Sequence, residues 1–138
     1  MKTDGRKKAG STVGTNSHAE GDSVEASGTC SHAEGSGTTA SGAASHAEGL
    51  STLASSANQH VQGRYNIEDA DGKYAHIVGN GSSSSARSNA HTLDWSGNAW
   101  YAGTVEGTAV IVKSSTEGST KRFKITVDDS GTISATEV

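Results

Sequence analysis

Histidine and glutamate recur together in this sequence at a fixed interval. The pentapeptide Ser-His-Ala-Glu-Gly starts at Ser17, Ser31 and Ser45, so its copies are fourteen residues apart. Because side chains alternate between the two faces of a strand, the His and Glu of each copy share one face. Imidazole is a good ligand for zinc, copper and nickel. Three chains meeting at each layer would bring three imidazoles together for metal binding.

A ladder of hydrogen-bonded, partly charged side chains that fixes the register between chains explains the same face more simply. Ligand spacing alone does not make a metal site, because distances and geometry must also fit. We therefore predict a structural interface, with no metal and no other cofactor. The predicted interface residues are the repeat histidines and glutamates and two tryptophans: His18, Glu20, His32, Glu34, His46, Glu48, His60, Trp95 and Trp100.

Enzymatic chemistry is not indicated by the pattern. Serines, histidines and acidic residues are abundant, so a Ser–His–Asp triad can be drawn in many places, and nothing distinguishes one serine from the others. We predict that the chain is not an enzyme and has no catalytic residues. The tryptophans and tyrosines offer a second kind of chemistry, because aromatic rings form stacking platforms for sugars, although such rings more often belong to a core.

The fourteen-residue unit must position these side chains. Val24–Gly28 aligns with residues 38–42 and 52–56, and Gln59-His60-Val61-Gln62-Gly63 is a decayed fourth copy of the pentapeptide. Fourteen extended residues span roughly 46 Å at about 3.3 Å each, enough for two short strands and two corners. Coils stacked in register pair each strand with its equivalent one repeat away. The sequence therefore predicts an all-β fold with a parallel β-roll, with Ser, Ala and Gly on its inner face.

The composition agrees with a backbone-paired solenoid. Only 31% of the residues are hydrophobic and 4% are aromatic, while there are 18 glycines and no proline. So few large apolar side chains usually indicate disorder, unless strand ladders and association with other copies supply the stability. The net charge of −4 and the two short basic clusters argue against nucleic-acid binding. We expect no membrane insertion, no signal peptide and, with Cys30 alone, no intrachain disulfide.

The residues after the repeat predict further strands. Leu93–Trp95 and Ala99–Tyr101 flank a Ser-Gly-Asn turn, and Phe123, Ile125 and Val127 alternate with polar residues before an Asp-Asp-Ser-Gly turn. Both patterns are typical of β-hairpins. The predicted regions are an N-terminal arm or expression-derived residues at 1–9, the β-roll at 10–63, an irregular β region with the tryptophan hairpin at 64–112, and a C-terminal hairpin cap at 113–138.

The run of Ser-His-Ala-Glu-Gly copies resembles the repeat region of phage and prophage tail-fibre or neck-appendage proteins, some of which carry a self-cleaving C-terminal chaperone domain. Residues 63–69, 74–81 and 87–100 resemble the segments that follow such repeats. We expect no chaperone domain here, because too few residues follow Trp100. The repeat is more distantly similar to the heads of trimeric autotransporter adhesins, whose unit has valine and isoleucine where this chain has histidine and glutamate.

The resemblance implies a homotrimeric fibre with a left-handed β-roll, intertwined strands and a C-terminal hairpin that caps it. It implies a structural and adhesive segment of a phage tail fibre or appendage, located in the virion and contributing to host-surface attachment. The expected partners are a host surface glycan or receptor and other virion tail proteins. Two alternatives stay open: the head of a trimeric adhesin on a bacterial cell surface, and a trimerisation or assembly module without a binding role.

Overall fold

The computed structural model describes residues 6–7 and 13–138. The predicted N-terminal arm lies outside the described residues, apart from the backbone of residues 6 and 7. All regular secondary structure in the described residues is β-strand. The strands are β1 (Arg6–Lys7), β2 (His18–Ala26), β3 (His32–Ser36), β4 (Thr39–Ala40), β5 (His46–Leu50), β6 (Leu53–Ala54), β7 (His60–Arg64), β8 (Tyr74–Asn80), β9 (Asn89–Asp94), β10 (Ala99–Tyr101), β11 (Val110–Lys113), β12 (Arg122–Val127) and β13 (Ile133–Glu137).

The repeats form a parallel β-solenoid of about four coils, so the predicted all-β class and β-roll are confirmed. In one stack β2, β3, β5, β7 and β8 follow one another, all parallel. Identical residues pair across the first three coils, as in the register His18↔His32↔His46. The end of β2 begins a second parallel stack with β4 and β6. Each coil therefore contributes one segment to each stack, as the two-part repeat predicts.

Small side chains fill the inside of the coil. The alanines of the first stack continue as Val61 and Ile77, and all of these residues are buried. The buried serines satisfy their hydroxyl groups locally: Ser31 Oγ and Ser45 Oγ each donate to a corner carbonyl oxygen at 2.8 Å. Since buried polar groups need such partners, an interior of Ser, Thr and Ala is stable without large apolar residues.

The predicted place of the repeat glycine is wrong. Ser31 and Ala33 are buried as expected, but Gly35 is exposed, and so is Gly49 in the next coil. The reason lies in the backbone: Gly35 has a φ of 107° and Gly49 a φ of 103°. The regular inside–outside alternation of a strand holds only for extended residues, and it ends at each of these glycines.

Each coil has two corners at which the backbone enters the left-handed region. One corner falls at Asn16, Cys30, Ala44 and Asn58, with φ values from 53° to 59°. The other falls seven residues later, at Ser23, Gly37, Ser51 and Tyr65. Only glycine and, less often, Asn or Asp adopt this conformation without strain, so the ladders must hold the other corner residues in place. Cys30 is an exposed free cysteine at its corner.

Residues 65–73 form a segment, the cover segment, that covers the end of the second stack. The side chain of Asn66 is fully buried and pairs with the backbone of Leu53, the first residue of the edge strand β6. Leu53 N donates to Asn66 Oδ1 at 2.8 Å, and Asn66 Nδ2 donates to Leu53 O at 3.0 Å. Asp69 accepts from Tyr74 N at 2.8 Å and from Gln59 Nε2 at 2.9 Å. Side chains thus replace the strand that a further coil would supply.

After this cover, β8 rejoins the first stack, β9 pairs with it antiparallel, and β10 pairs with β9. The turn between β9 and β10 is held by Asp94, whose carboxylate accepts from Ser96 N and Asn98 N at 2.9 Å. The chain divides after Gly103 into two compact units. No helix in the described residues has the length and apolarity needed to cross a membrane.

The second unit, Thr104–Val138, is a three-stranded antiparallel sheet in the order β11-β12-β13. Phe123 in β12 pairs with Val112 in β11 and with Glu137 in β13. The unit has no buried residue. A three-stranded sheet needs a covered hydrophobic face for stability, and no residue of this unit covers one.

Candidate functional site

The histidines of the chain form one continuous ladder on the outer face of the solenoid. The sequence has 6 histidines, and neighbouring rings along the ladder have their centroids 4.6 to 5.7 Å apart. Tyr101 extends the ladder, with its ring 4.5 Å from that of His91. The members, in order, are His18, His32, His46, His60, His76, His91 and Tyr101.

The parallel register builds this ladder. Strands in a sheet lie about 4.8 Å apart, which is also a good stacking distance for flat rings. The rings of His32 and His46 are 4.6 Å apart and 11° from parallel, and those of His46 and His60 are 4.7 Å apart and 4° from parallel. Stacking is therefore closest in the middle coils, where the fourteen-residue period is regular.

The last three members of the ladder were not predicted. His76 pairs with His60 sixteen residues away, because the cover segment lengthens the interval between β7 and β8. The missed signal is the pattern His-apolar-x-Gly, which is present as His60-Val61-Gln62-Gly63 and again as His76-Ile77-Val78-Gly79. His91 and Tyr101 arrive through antiparallel pairing, to which no repeat in the sequence points.

Glutamates run alongside the histidines and connect successive coils. Glu34 Oε1 lies 3.6 Å from His46 Nε2, and Glu48 Oε1 lies 3.4 Å from His60 Nε2. In each case the carboxylate reaches the histidine of the next coil. Glu20 instead pairs with His18 of its own coil, at 3.5 Å. The alternation that predicts a shared His–Glu face is thus confirmed, with contacts that run diagonally between coils.

The predicted interface residues fall into two places. The histidines and glutamates form the outer ladder, while Trp95 and Trp100 lie around the β9–β10 turn and are 55% and 54% exposed. Trp95 Nε1 donates to Gly72 O at 3.1 Å. Trp100 neighbours Tyr101 in β10 and so points to the opposite face from the end of the ladder. There it lines a groove with Ile67 and Tyr74.

Two histidines of the ladder are harder to protonate than an ordinary imidazole. Burial lowers the pKa of His32 below its usual 6.5, and a charge on His46 lowers it further, outweighing the opposite effect of Glu34. Burial, followed by charges on His60 and His91, lowers the pKa of His76 in the same way. Stacked imidazoles share a partly dry face, so a proton on one ring disfavours a proton on the next.

We expect the fold to lose stability as the pH falls through and below about 6.5. The folded chain holds His32 and His76 neutral at a pH where the unfolded chain binds protons at both. The unfolded state therefore gains protons first, and acid favours it.

Urea unfolding at pH 7.5 and at pH 5.8 measures the effect. The variant His76→Phe keeps a ring in the ladder without a titrating group, and its unfolding should depend less on pH. Two results would contradict the prediction. One is a free energy of unfolding that changes as much with pH in His76→Phe as in the wild type, and the other is a wild type that is more stable at pH 5.8 than at pH 7.5.

Comparisons with protein-family models, with curated proteins and with solved structures found no match to this chain.

Proposed function

We propose that this chain is a structural and adhesive segment of a homotrimeric fibre of the phage tail-fibre or appendage kind, and that it contributes to attachment to a host surface. The observation that carries the association is the uncovered sheet of residues 104–138. Val110 and Ile111 are consecutive residues of β11, so they point to opposite faces of the sheet. They are nevertheless 59% and 51% exposed. Apolar surface on both faces favours association with further chains.

Identical chains are the simplest occupants of these faces, since most soluble assemblies are symmetric homo-oligomers. The resemblance of the repeat to trimeric fibre proteins supplies the number three. Three copies would cover the sheet residues of one another at the same level of the fibre. The solenoid supports this role, because its ladders continue from coil to coil and give stiffness along one axis.

The groove beside Trp100 supports attachment in addition to assembly. It combines the ring of Tyr74 with polar groups of Lys73, Asp94 and Asn98. Sugars bind proteins through this combination, with their apolar faces on aromatic rings and their hydroxyls on charged or amide side chains. The groove thus favours a surface glycan as the host ligand over a role in trimer assembly alone.

The mass of the particle in solution tests the trimer. We expect light scattering to give about 42 kDa, three times the 13.9 kDa of one chain. Ile111→Glu places a charge on the exposed apolar sheet and should shift the mass towards one chain. Ser115→Glu, which adds the same charge at an exposed polar position nearby, should keep the trimer. A folded wild-type monomer would overturn the proposal.

A glycan array probed with the wild-type fibre and with Trp100→Ala tests attachment. Loss of glycan binding in the variant, at unchanged particle mass, supports a sugar site at this groove. Absence of any glycan binding by a trimeric wild type would leave the assembly module as the better description.

A further inference from the structure

Two carboxylates and one imidazole converge on the outer face of the middle coils. Glu34, His46 and Glu48 each place a ligand atom within 4.8 Å of those of the other two. Glu34 belongs to β3, and the other two residues belong to the next coil, in β5. The three side chains therefore come from one chain and meet between two coils. This differs from an arrangement in which three chains each contribute one histidine.

The imidazole nitrogen at the centre of this cluster lacks a hydrogen-bond partner. His46 Nε2 is buried and has no hydrogen-bond partner among the described residues, and the same holds for His32 Nε2 and His60 Nε2. Glu34 Oε1 lies 3.6 Å from the His46 nitrogen. A buried nitrogen without a partner is costly. If its lone pair faced two carboxylates directly, the contact would also be repulsive. A positive charge between the three groups would satisfy all of them.

The donor set suits a divalent transition-metal ion. Imidazole nitrogen binds zinc at about 2.0–2.1 Å, and carboxylate oxygen binds it at about 2.0–2.2 Å. Ligand atoms around such an ion are about 3.3 Å apart, so the carboxylates need to move by roughly one ångström. Glu34 and Glu48 are 40% and 33% exposed, and this leaves their side chains room for that movement. Three protein ligands leave a fourth position for water.

We propose that Glu34, His46 and Glu48 bind one divalent metal ion of the zinc class per chain, and that the ion links two neighbouring coils of the solenoid. The proposal goes beyond the structural role above and does not depend on the number of chains in the fibre. The ion binds only when the coils are stacked, because Glu34 lies twelve residues before His46 and fourteen before Glu48 in the sequence. Metal should therefore stabilise the fold.

The flanking coils explain why the site falls at this position. In the coil before, Glu20 is paired with His18 of its own strand. In the coil after, Gln62 occupies the position equivalent to Glu48, and its amide nitrogen lies 3.3 Å from His76 Nε2. An amide carries no negative charge, so the equivalent set around His60 has one carboxylate in place of two. Among the described residues, one group of three ligands meets the distance condition.

Calorimetric titration of the untagged full chain with ZnCl₂ tests the site. We expect one Zn²⁺ per chain, and a rise in melting temperature on addition of the ion. Glu34→Gln and Glu48→Gln keep the side-chain shape and should weaken binding by at least about tenfold. Glu20→Gln is the matched control, because it makes the same change in the same repeat position outside the cluster. This control should bind like the wild type.

His46→Phe and His18→Phe form a second matched pair, since phenylalanine keeps a ring in the ladder. Loss of binding in the first variant alone supports the site. Three results would overturn the metal site. The first is equal zinc affinity in all variants, and the second is a loss of affinity in Glu20→Gln as large as that in Glu34→Gln. The third is a folded wild-type chain that binds no zinc. Light scattering of the same samples measures the trimer separately. A chain that forms trimers without binding zinc would contradict the metal site alone, and a monomer that binds zinc would contradict the fibre role alone.

Discussion

Gly35→Ala is expected to destabilise the solenoid by about 3 kcal/mol or more. A Cβ at Gly35 would lie 2.2 Å from the carbonyl oxygen of Gly49 in the next coil. Gly35 also has a φ of 107°, a conformation that L-residues with side chains rarely adopt. Steric overlap and backbone strain therefore act together.

The overlap at Gly35 cannot relax locally. The colliding atom belongs to the backbone, and it is held by the parallel ladder between β3 and β5. The neighbouring coils repeat the same close approach: a Cβ at Gly21 would lie 1.9 Å from Gly35 O, and one at Gly49 would lie 2.0 Å from Gly63 O. Moving one strand away to admit the methyl group would thus disturb the pairing of both adjacent coils.

Gly97→Ala separates the two causes. Gly97 has a φ of 86°, but a Cβ there would meet no atom within 4 Å. This control contains the backbone strain without the overlap, and should cost only about 1–2 kcal/mol. Urea unfolding of both variants, with circular dichroism as the probe, measures the difference. Equal losses would show that strain alone acts at Gly35, contrary to the close packing of the coils.

The fourteen-residue period explains why so much of the solenoid is predictable. Parallel in-register stacking follows from a repeat whose members are nearly identical, and alternation along SHAEG places Ala33 inside and His32 outside. The same alternation misplaces Gly35, because a positive φ ends the strand geometry on which the rule rests. The period also ends at the cover segment, so that the continuation of the stack through β8 had to come from the structure.

The candidate metal site could be predicted only in part from the sequence. The repeat predicts that His46 and Glu48 share a face and that Glu34 belongs to the coil beside it. It does not predict that a carboxylate reaches diagonally to the histidine of the next coil, since rotamers decide this contact. Gln62 excludes the coil after the site, because an amide replaces the carboxylate there, but the sequence gives no reason to prefer the set around His46 over the equivalent set around His32. That preference arises from the pairing of Glu20 with His18 of its own coil.

The side chain that closes the second stack had no sequence signal, because Asn66 stands outside the repeat in an otherwise irregular segment. Its amide provides both an acceptor and a donor to the backbone of Leu53, the arrangement by which a neighbouring strand would pair. A second donor bond from Nδ2, at 2.9 Å, reaches Ile67 O. One fully buried side chain therefore satisfies the edge of β6 and fixes the segment that covers it.

Asn66→Ala is accordingly expected to destabilise the first unit by about 2–4 kcal/mol, because the N–H and C=O of the half-buried Leu53 both lose their hydrogen-bond partner. Asn98→Ala is the matched control: Asn98 Nδ2 also donates a hydrogen bond, to Asp94 Oδ2 at 2.9 Å, but in an exposed turn. This control should cost less than about 1 kcal/mol. Urea unfolding compares the two variants, and amide exchange at Leu53 localises the change. If Leu53 stays as protected as in the wild type and the two losses are equal, the edge of the solenoid is closed by something other than Asn66.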